Sequence, residues 1–356
     1  MEQIVCHEPD FRAAPNYYVF RGTEISGGGH RHQRPQMSGG YVYVSACADE
    51  CIHVLRVHGE RMERAADIKV KGGPRTLVFS RNGKYMYVAT QSGEVAFFTR
   101  EDAAHPREQV RLTADQRLCN LCLSPDENTL IGTSYCGGQV ECWELEGQSA
   151  GRHTLVRTAF AAHCAVFMDE RRFAVVHPDT RRLYYMTLDA PGSVQIAGFC
   201  EMQYDLRHLV HKAGTDWYYG ITYEDNAICA LRRSGGTLHL ESALSSLPDG
   251  FAGYSIGSDI QLGNDGYLYA ANRGADDIVV CRAEGARIRK LGFINVDPEP
   301  ISFCLNEEGN TLYAAGKLSG RLYACRLSSD HRSVERKMTL DVGREVLWIA
   351  YRSDKK

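Results

Sequence analysis

The chain has 356 residues, 44% of them hydrophobic, and a formal net charge of −3 at pH 7. A length beyond the roughly 100–200 residues of an ordinary domain indicates several domains or a closed repeat architecture, in which each repeat packs on its neighbours. The charge leaves no basic surplus for a nucleic-acid backbone, and no apolar run approaches the roughly 18 residues of a membrane span, so neither partner is expected.

The first 38 residues differ from the rest of the chain, because they show no strand pattern and include the Gly-rich stretch GGGHRHQRPQ. We predict a partly flexible N-terminal extension over residues 1–38 and a folded domain over residues 39–356. The extension lacks the charged and then apolar layout of a signal peptide, which favours a cytoplasmic location. His30 and His32 in this stretch are expected to be solvated rather than to bind metal.

A repeat of about 44 residues begins at Tyr41. The stretches YVYVSACADECIHVL from Tyr41 and YMYVATQSGEVAFF from Tyr85 have relatives that start at positions 129, 173, 217, 267 and 311. The distance between successive starts is 44 residues, except for one of 50. Each unit alternates apolar and polar residues around a turn rich in Gly, Asp or Asn, which predicts two strands, and several units follow a further strand such as TLVFSRNGKY.

Repeats of this length with four strands apiece are typical of propeller blades. Seven units therefore predict an all-β protein that folds as a seven-bladed β-propeller. The first unit has no leading strand, whereas REVLWIAY at residues 344–351 follows the last unit without a blade of its own. We predict that this C-terminal strand joins the first blade and closes the ring, which removes exposed sheet edges.

The 13 cysteines are scattered along the chain. Cys119 and Cys122 form a CxxC pair, but no second pair follows. This pattern favours cysteines that act as small hydrophobic residues in a reducing compartment. We predict neither a metal nor a cofactor.

Candidate site residues fall into two columns when the units are aligned. Leading strands line the channel of a propeller, and antiparallel neighbours begin and end at the same edge, so both columns are expected at one rim. The column at the start of the leading strands contains Arg75, Cys119, His163, Arg207, Ser258 and Ile301. The column at the end of the second strands contains Cys47, Gln91, Tyr135, Asp179, Tyr223, Arg273 and Lys317, with Glu224 one position further.

The cations in these columns predict a small anionic ligand. Arg75, Arg207 and Arg273 come from different blades and are expected to converge with His163 at the channel mouth. Arginine holds carboxylates and phosphates by charge-assisted, often bidentate hydrogen bonds. Substrate-binding roles are predicted for four residues: Arg75, Tyr135, Asp179 and Lys317.

Three stretches of the chain resemble the lactonase family of seven-bladed propellers, which includes 6-phosphogluconolactonases and carboxymuconate cyclases. They are GPRTLVFSRNGKYMYVAT, SDIQLGNDGYLYAANRGADDIVV and PEPISFCLNEEGNTLYAAGKLSGRLYACRL. The resemblance covers about residues 39–351. It implies that His163, Arg207 and Arg273 take the positions of the family's histidine and two of its arginines.

Two positions of this sequence do not follow the family pattern. The family glutamate falls near TYEDN, where Tyr223 takes its place in a gapless alignment and Glu224 lies one residue further. Ile301 stands where the family commonly has an arginine, which indicates a different substrate or no lactonase activity.

The resemblance implies a hydrolase of carbohydrate metabolism that opens a sugar-derived or carboxylated lactone. The predicted catalytic residues are His163, Glu224, Arg207 and Arg273. His163 or Glu224 would activate water, while the two arginines would hold the substrate anion or stabilise the oxyanion. Two alternatives remain: a cycloisomerase that forms a lactone from an unsaturated dicarboxylate, and a non-catalytic propeller that binds a small anion or a protein. A monomer or a weak homo-oligomer is expected.

Overall fold

The computed structural model describes residues 39–147, 149–263 and 266–354. In these ranges 28 strands form seven four-stranded sheets, and the one helical element is a 3-10 turn at Cys47–Asp49. The prediction of an all-β, seven-bladed propeller is confirmed. No helix in the described ranges is long and apolar enough to cross a membrane. His30, His32 and the rest of the predicted extension lie outside the described residues.

The strands follow the chain blade by blade, with one exception in the first blade. Blade 1 contains β1 (Gly39–Ala46), β2 (Cys51–His58), β3 (Arg61–Lys69) and the last strand of the chain, β28 (Val346–Ser353). Blade 2 contains β4 (Pro74–Phe79), β5 (Tyr85–Thr90), β6 (Glu94–Thr99) and β7 (Arg107–Thr113). Blade 3 contains β8 (Asn120–Leu123), β9 (Thr129–Ser134), β10 (Gln139–Glu146) and β11 (Ser149–Arg157).

The remaining four blades repeat the same arrangement of a leading strand and three successors. Blade 4 contains β12 (Cys164–Phe167), β13 (Arg172–His177), β14 (Arg182–Ala190) and β15 (Ser193–Glu201). Blade 5 contains β16 (Leu206–His211), β17 (Trp217–Thr222), β18 (Ala227–Ser234) and β19 (Thr237–Ser245). Blade 6 contains β20 (Ile256–Leu262), β21 (Tyr267–Arg273), β22 (Asp277–Glu284) and β23 (Arg287–Asn295). Blade 7 contains β24 (Pro300–Leu305), β25 (Thr311–Gly316), β26 (Arg321–Leu327) and β27 (Val334–Asp341).

The leading strands surround the centre of the molecule. Each is an edge strand of its own sheet and contacts the leading strands of both neighbouring blades, in the order β28, β4, β8, β12, β16, β20, β24 and back to β28. Strand β28 pairs with β1 from Gly40 opposite Ser353 to Ser45 opposite Trp348. The predicted closure of the ring by the C-terminal strand is therefore confirmed.

The hydrophobic core consists of clusters between the faces of adjacent blades. Buried tyrosines of the second strands recur in these clusters, because the period of two sends alternate residues of a strand into the neighbouring sheet. A buried tyrosine hydroxyl needs a hydrogen-bond partner. Tyr313 donates to the backbone oxygen of Gly59 in blade 1 at 2.6 Å, and Tyr219 donates to that of Gly285 in blade 6 at 3.1 Å.

The leading strands of blades 2, 5, 6 and 7 begin with an irregular register. The irregularities lie between Pro74 and Leu77, Leu206 and His208, Gly257 and Ile260, and Pro300 and Ser302. Such bulges break the strict alternation of side chains and redirect one of them. They occur at the rim where both predicted columns lie.

Replacing Ile349 tests the contribution of the closing strand to stability. Ile349 lies on β28 in the cluster between blades 7 and 1 and is 3% exposed. We expect Ile349→Ala to lower the free energy of unfolding by about 2–5 kcal/mol, because it leaves a cavity in a packed core. Urea denaturation measures the change. Met338→Ala on β27 is the control, since this side chain is 43% exposed, and equal losses in both variants would contradict the prediction.

Candidate functional site at one rim of the propeller

Both predicted columns lie at one rim. The register places Pro74 opposite Thr90, Leu206 opposite Thr222 and Ile256 opposite Arg273, so leading strands begin where second strands end. Arg75, Arg207 and Arg273 lie in these paired ends, and His163 directly precedes β12. These four residues are called the rim cluster below.

His163 is held rigidly by its own backbone. Its N–H donates to Val176 O at 2.9 Å, and its carbonyl accepts hydrogen bonds from Thr133 Oγ1 at 2.7 Å and Cys119 Sγ at 3.4 Å. The ring is buried, with Tyr135 edge-on at 5.9 Å and Nδ1 without a hydrogen-bond partner among the described residues. Burial, with the charges of Arg207 and Arg75, holds the pKa of His163 well below 6.5, so the ring is neutral at pH 7.

Arg207 connects blades 5 and 6. Its guanidinium is buried, donates to the backbone oxygen of Ser258 on β20, and lies 5.8 Å from the centre of the Tyr223 ring. A cation over an aromatic face is stabilised by the ring quadrupole. Arg207 is thereby fixed between two inner strands, where its charge acts on His163 in blade 4.

Gly257 allows this close approach of blades 5 and 6. Its N–H donates to Tyr223 O at 2.7 Å, and a Cβ atom at this position would lie 2.1 Å from Thr222 O and 2.5 Å from Ile221 Cγ1. Any side chain here would push the start of β20 away from the end of β17. The hydrogen bond from Arg207 to Ser258 depends on this spacing.

Arg273 lies at the contact between blades 6 and 7. Its Nη2 is 3.5 Å from Glu299 Oε2, and its buried Nε has no hydrogen-bond partner among the described residues. Lys317 is bound to the same loop through its backbone, because its N–H donates to Glu299 O at 3.0 Å. A buried guanidinium with an unsatisfied N–H is costly unless a ligand completes its hydrogen bonds.

The other predicted binding residues form neighbouring pairs. Arg75 Nη1 donates to Gln91 Oε1 at 2.5 Å, and the Tyr135 hydroxyl donates to Asp179 Oδ1 at 2.6 Å. Burial, together with Asp179, raises the pKa of Tyr135, so its hydroxyl remains a donor. Asp179 is exposed, while Arg75 and Tyr135 are half-buried.

Glu224 and Tyr223 differ in their surroundings. The Glu224 side chain is exposed, and its backbone N–H donates to Asp205 Oδ2 at 2.7 Å. The buried Asp205 carboxylate also accepts the N–H of Tyr223 at 3.1 Å and thus holds this loop, while burial raises its pKa to about 6. Ile301 is half-buried within the bulge of β24.

The sequence columns did not include a second polar pair that the structure places beside the rim cluster. His208 Nδ1 lies 3.1 Å from Asp259 Oδ1, and both side chains are buried. The His208 ring centre is 4.9 Å from that of His163. His208 directly follows Arg207 in LRHLVH and Asp259 directly follows Ser258 in SDIQL, so each lies one position after a column residue.

One group of side chains in the described ranges has the donor types and spacing of a cation site. Cys51, His53 and Asp67 in blade 1 have ligand atoms within 4.8 Å of one another. Asp67 Oδ1 is already bound to His53 Nδ1 at 2.6 Å and lies 3.2 Å from Arg64 Nη1. Burial raises the pKa of the Cys51 thiol, which opposes the thiolate form that metals prefer.

Replacing His163 tests whether this ring is held neutral. A folded-state pKa far below 6.5 means that the unfolded chain binds a proton first as the pH falls, so stability is lost below about pH 6.5. We expect the free energy of unfolding of His163→Gln to fall less steeply between pH 7 and 5.5 than that of the unmodified protein. The two slopes differ by up to about 1.4 kcal/mol per pH unit. Urea denaturation across this range measures it. The exposed His105→Gln is the control, and parallel curves for His163→Gln and the unmodified protein would contradict the prediction.

Known proteins resemble this chain along most of its length. The chain is 22% identical to the 6-phosphogluconolactonase of Enterobacter sp. (strain 638) over 333 residues, 86% of this chain and 97% of that protein. It is 22% identical to that of Sodalis glossinidius over 339 residues, 87% of this chain and 98% of that protein. A match at 25% identity to the Erwinia tasmaniensis 6-phosphogluconolactonase spans 146 residues, 40% of this chain and 44% of that protein.

Solved structures share the fold at lower identity. The periplasmic gluconolactonase of Pseudomonas aeruginosa superposes with a TM-score of 0.80 at 16% identity, over 88% of this chain and 99% of that one. A protein from Lactobacillus plantarum superposes with a TM-score of 0.78 at 14% identity, over 88% of this chain and 99% of that one. The family model described as "Lactonase, 7-bladed beta-propeller" matches residues 34–106 and 103–350. The chain therefore belongs to the lactonase family of seven-bladed β-propellers.

Proposed function

We propose that the protein is a hydrolase that opens a sugar-derived or carboxylated lactone at the rim cluster. The observation that carries the proposal is the combination of a buried neutral histidine with guanidinium groups from different blades, among which Arg273 Nε has no hydrogen-bond partner within the described residues. The similarity to proteins named 6-phosphogluconolactonase, over 86% and 87% of this chain, supports the same reaction.

The proposed chemistry needs an anion holder, an oxyanion donor and a base. Arg273 and Arg207 hold the substrate carboxylate or phosphate or donate to the oxyanion, with Arg75, Tyr135, Asp179 and Lys317 as further contacts. Water adds to the lactone carbonyl carbon, the ring C–O bond breaks, and the product is a hydroxy acid. His163 contacts the substrate in its neutral form. Glu224 lies on an exposed loop at the same rim.

The apolar side chain of Ile301 favours a substrate lactone that carries one anionic group over a lactone that carries several anionic groups. An apolar side chain occupies this place in the column, so the rim holds fewer cations than a site with an arginine there. A lactone-forming cycloisomerase would use the same rim with an unsaturated dicarboxylate, which makes that compound an informative second substrate. We also propose a cytoplasmic location, because the 12 described cysteines are all free thiols.

A lactone panel tests the proposed reaction. We expect the purified protein to accelerate acid release from 6-phosphogluconolactone, glucono-1,5-lactone or a carboxylated lactone beyond spontaneous opening, as measured in a pH-stat. Conversion of an unsaturated dicarboxylate without lactone opening would instead support the cycloisomerase. No acceleration with any member of the panel would refute the hydrolase.

Replacing the two buried arginines tests their role in binding. We expect Arg207→Gln and Arg273→Gln to lower kcat/KM by about 10–100-fold, the value of one charge-assisted hydrogen bond of roughly 1.5–3 kcal/mol. Arg332→Gln is the matched control, because this arginine is 56% exposed on the loop between β26 and β27 at the opposite rim. Initial rates over a range of substrate concentrations measure the effect, and a loss in the control equal to that in Arg273→Gln would contradict the assignment.

A further inference from the structure

Two buried histidines lie side by side in the channel with opposite surroundings. The ring centres of His163 and His208 are 4.9 Å apart, and the planes are inclined by 54°. His163 faces Tyr135 and the charges of Arg207 and Arg75. His208 contacts a carboxylate. Acid and base roles in an active site follow from such differences between neighbouring titratable groups.

The carboxylate beside His208 is itself firmly held. Asp259 Oδ1 lies 3.1 Å from His208 Nδ1 and accepts the Ile260 N–H at 2.9 Å, while Oδ2 accepts the Ser302 hydroxyl at 3.2 Å. The Ser302 hydroxyl in turn accepts the N–H of Ile349 on β28 at 3.3 Å. Inner strands of three blades thus fix Asp259, and an Nδ1–H donated to it leaves Nε2 of His208 as the basic nitrogen.

The bulge in blade 5 explains how His208 reaches this position. Arg207 and His208 are consecutive, and in a regular strand their side chains would point to opposite faces. The register shifts between Leu206 and His208. Arg207 can therefore bind Ser258 while the next residue binds Asp259, both on β20.

The electrostatic surroundings favour a proton on His208 over one on His163. Burial and Arg207 lower the pKa of His208, but the bond to Asp259 opposes both. The largest contributions at His163, from burial and from Arg207, His208 and Arg75, all lower its pKa, which lies well below 6.5. The charged and titratable groups that face His208 are His163, Arg207 and Asp259. The nearby Cys164 thiol stays protonated, because burial raises its pKa to about 12.

We propose that His208, oriented by Asp259, is the general base that activates the attacking water. This inference rests on the proposed lactone hydrolysis. Nε2 of His208 takes a proton from water as the water oxygen bonds to the lactone carbonyl carbon. When the ring C–O bond breaks, the imidazolium returns that proton to the leaving oxygen, so the products are the hydroxyl and the carboxylic acid. Asp259 acts as a positioning residue. The neutral His163 donates a hydrogen bond to the substrate or accepts one from it.

Kinetic measurements on two isosteric variants test the assignment. We expect His208→Gln and Asp259→Asn to lower kcat by about 10²–10⁴-fold with KM changed by less than about threefold, and Asp259→Asn to move the acidic limb of the kcat/KM pH profile. The exposed His239→Gln is the control and should match the unmodified protein. Circular dichroism and thermal midpoints establish that the variants fold.

The outcomes separate this inference from the proposed function. If the unmodified protein opens no lactone of the panel, both the hydrolase proposal and the assignment of His208 as its general base are refuted. If the unmodified protein is active, His208→Gln retains kcat within threefold and His163→Gln loses its activity, only the assignment of His208 as the general base is refuted. NMR titration of the histidine rings provides a readout without substrate: His208 should bind its proton at higher pH than His163, and Asp259→Asn should lower that midpoint. The reverse order would overturn the proposal.

Discussion

The convergence of seven leading strands on one axis is the constraint on which the candidate site depends. Each leading strand contacts those of its neighbours, so residues one repeat apart in sequence meet in space. The hydrogen bond from Tyr135 to Asp179 and the one from Cys119 to the His163 carbonyl both span 44 residues. A concentrated cluster of polar groups therefore arises from single residues in successive blades, and no local motif needs to supply them.

The interior of the rim is electrostatically divided. The charges of Arg207 and Arg75 act on His163, whereas the Asp259 carboxylate lies next to His208. A low-dielectric setting makes each of these charges act strongly over a few ångströms. An anionic substrate bound to the arginines would offset part of the positive field at His163. This division matches the proposed roles, in which the arginines hold the anion and His208 accepts a proton.

The sequence predicted the fold well because the repeat period, the strand alternation and the unpaired last strand are all local patterns. The columns also placed the rim cluster at one edge, although the catalytic roles of His163 and the arginines remain predictions. His208 and Asp259 were missed for a physical reason: strict alternation sends the residue after Arg207 away from the channel, and the bulge that redirects it has no simple sequence signature. The cluster of Cys51, His53 and Asp67 depends on the register of two strands in the same way.

The pairing of β28 with β1 has a consequence for synthesis on the ribosome. The strand that completes blade 1 follows every other strand of the propeller in the chain. Until it emerges, β1 has an unpaired edge and the bond from Ile349 to the Ser302 hydroxyl, which supports Asp259, cannot form. Nascent chains therefore pass through a stage with six whole blades and an open edge, when wrong pairing with another chain is most favourable.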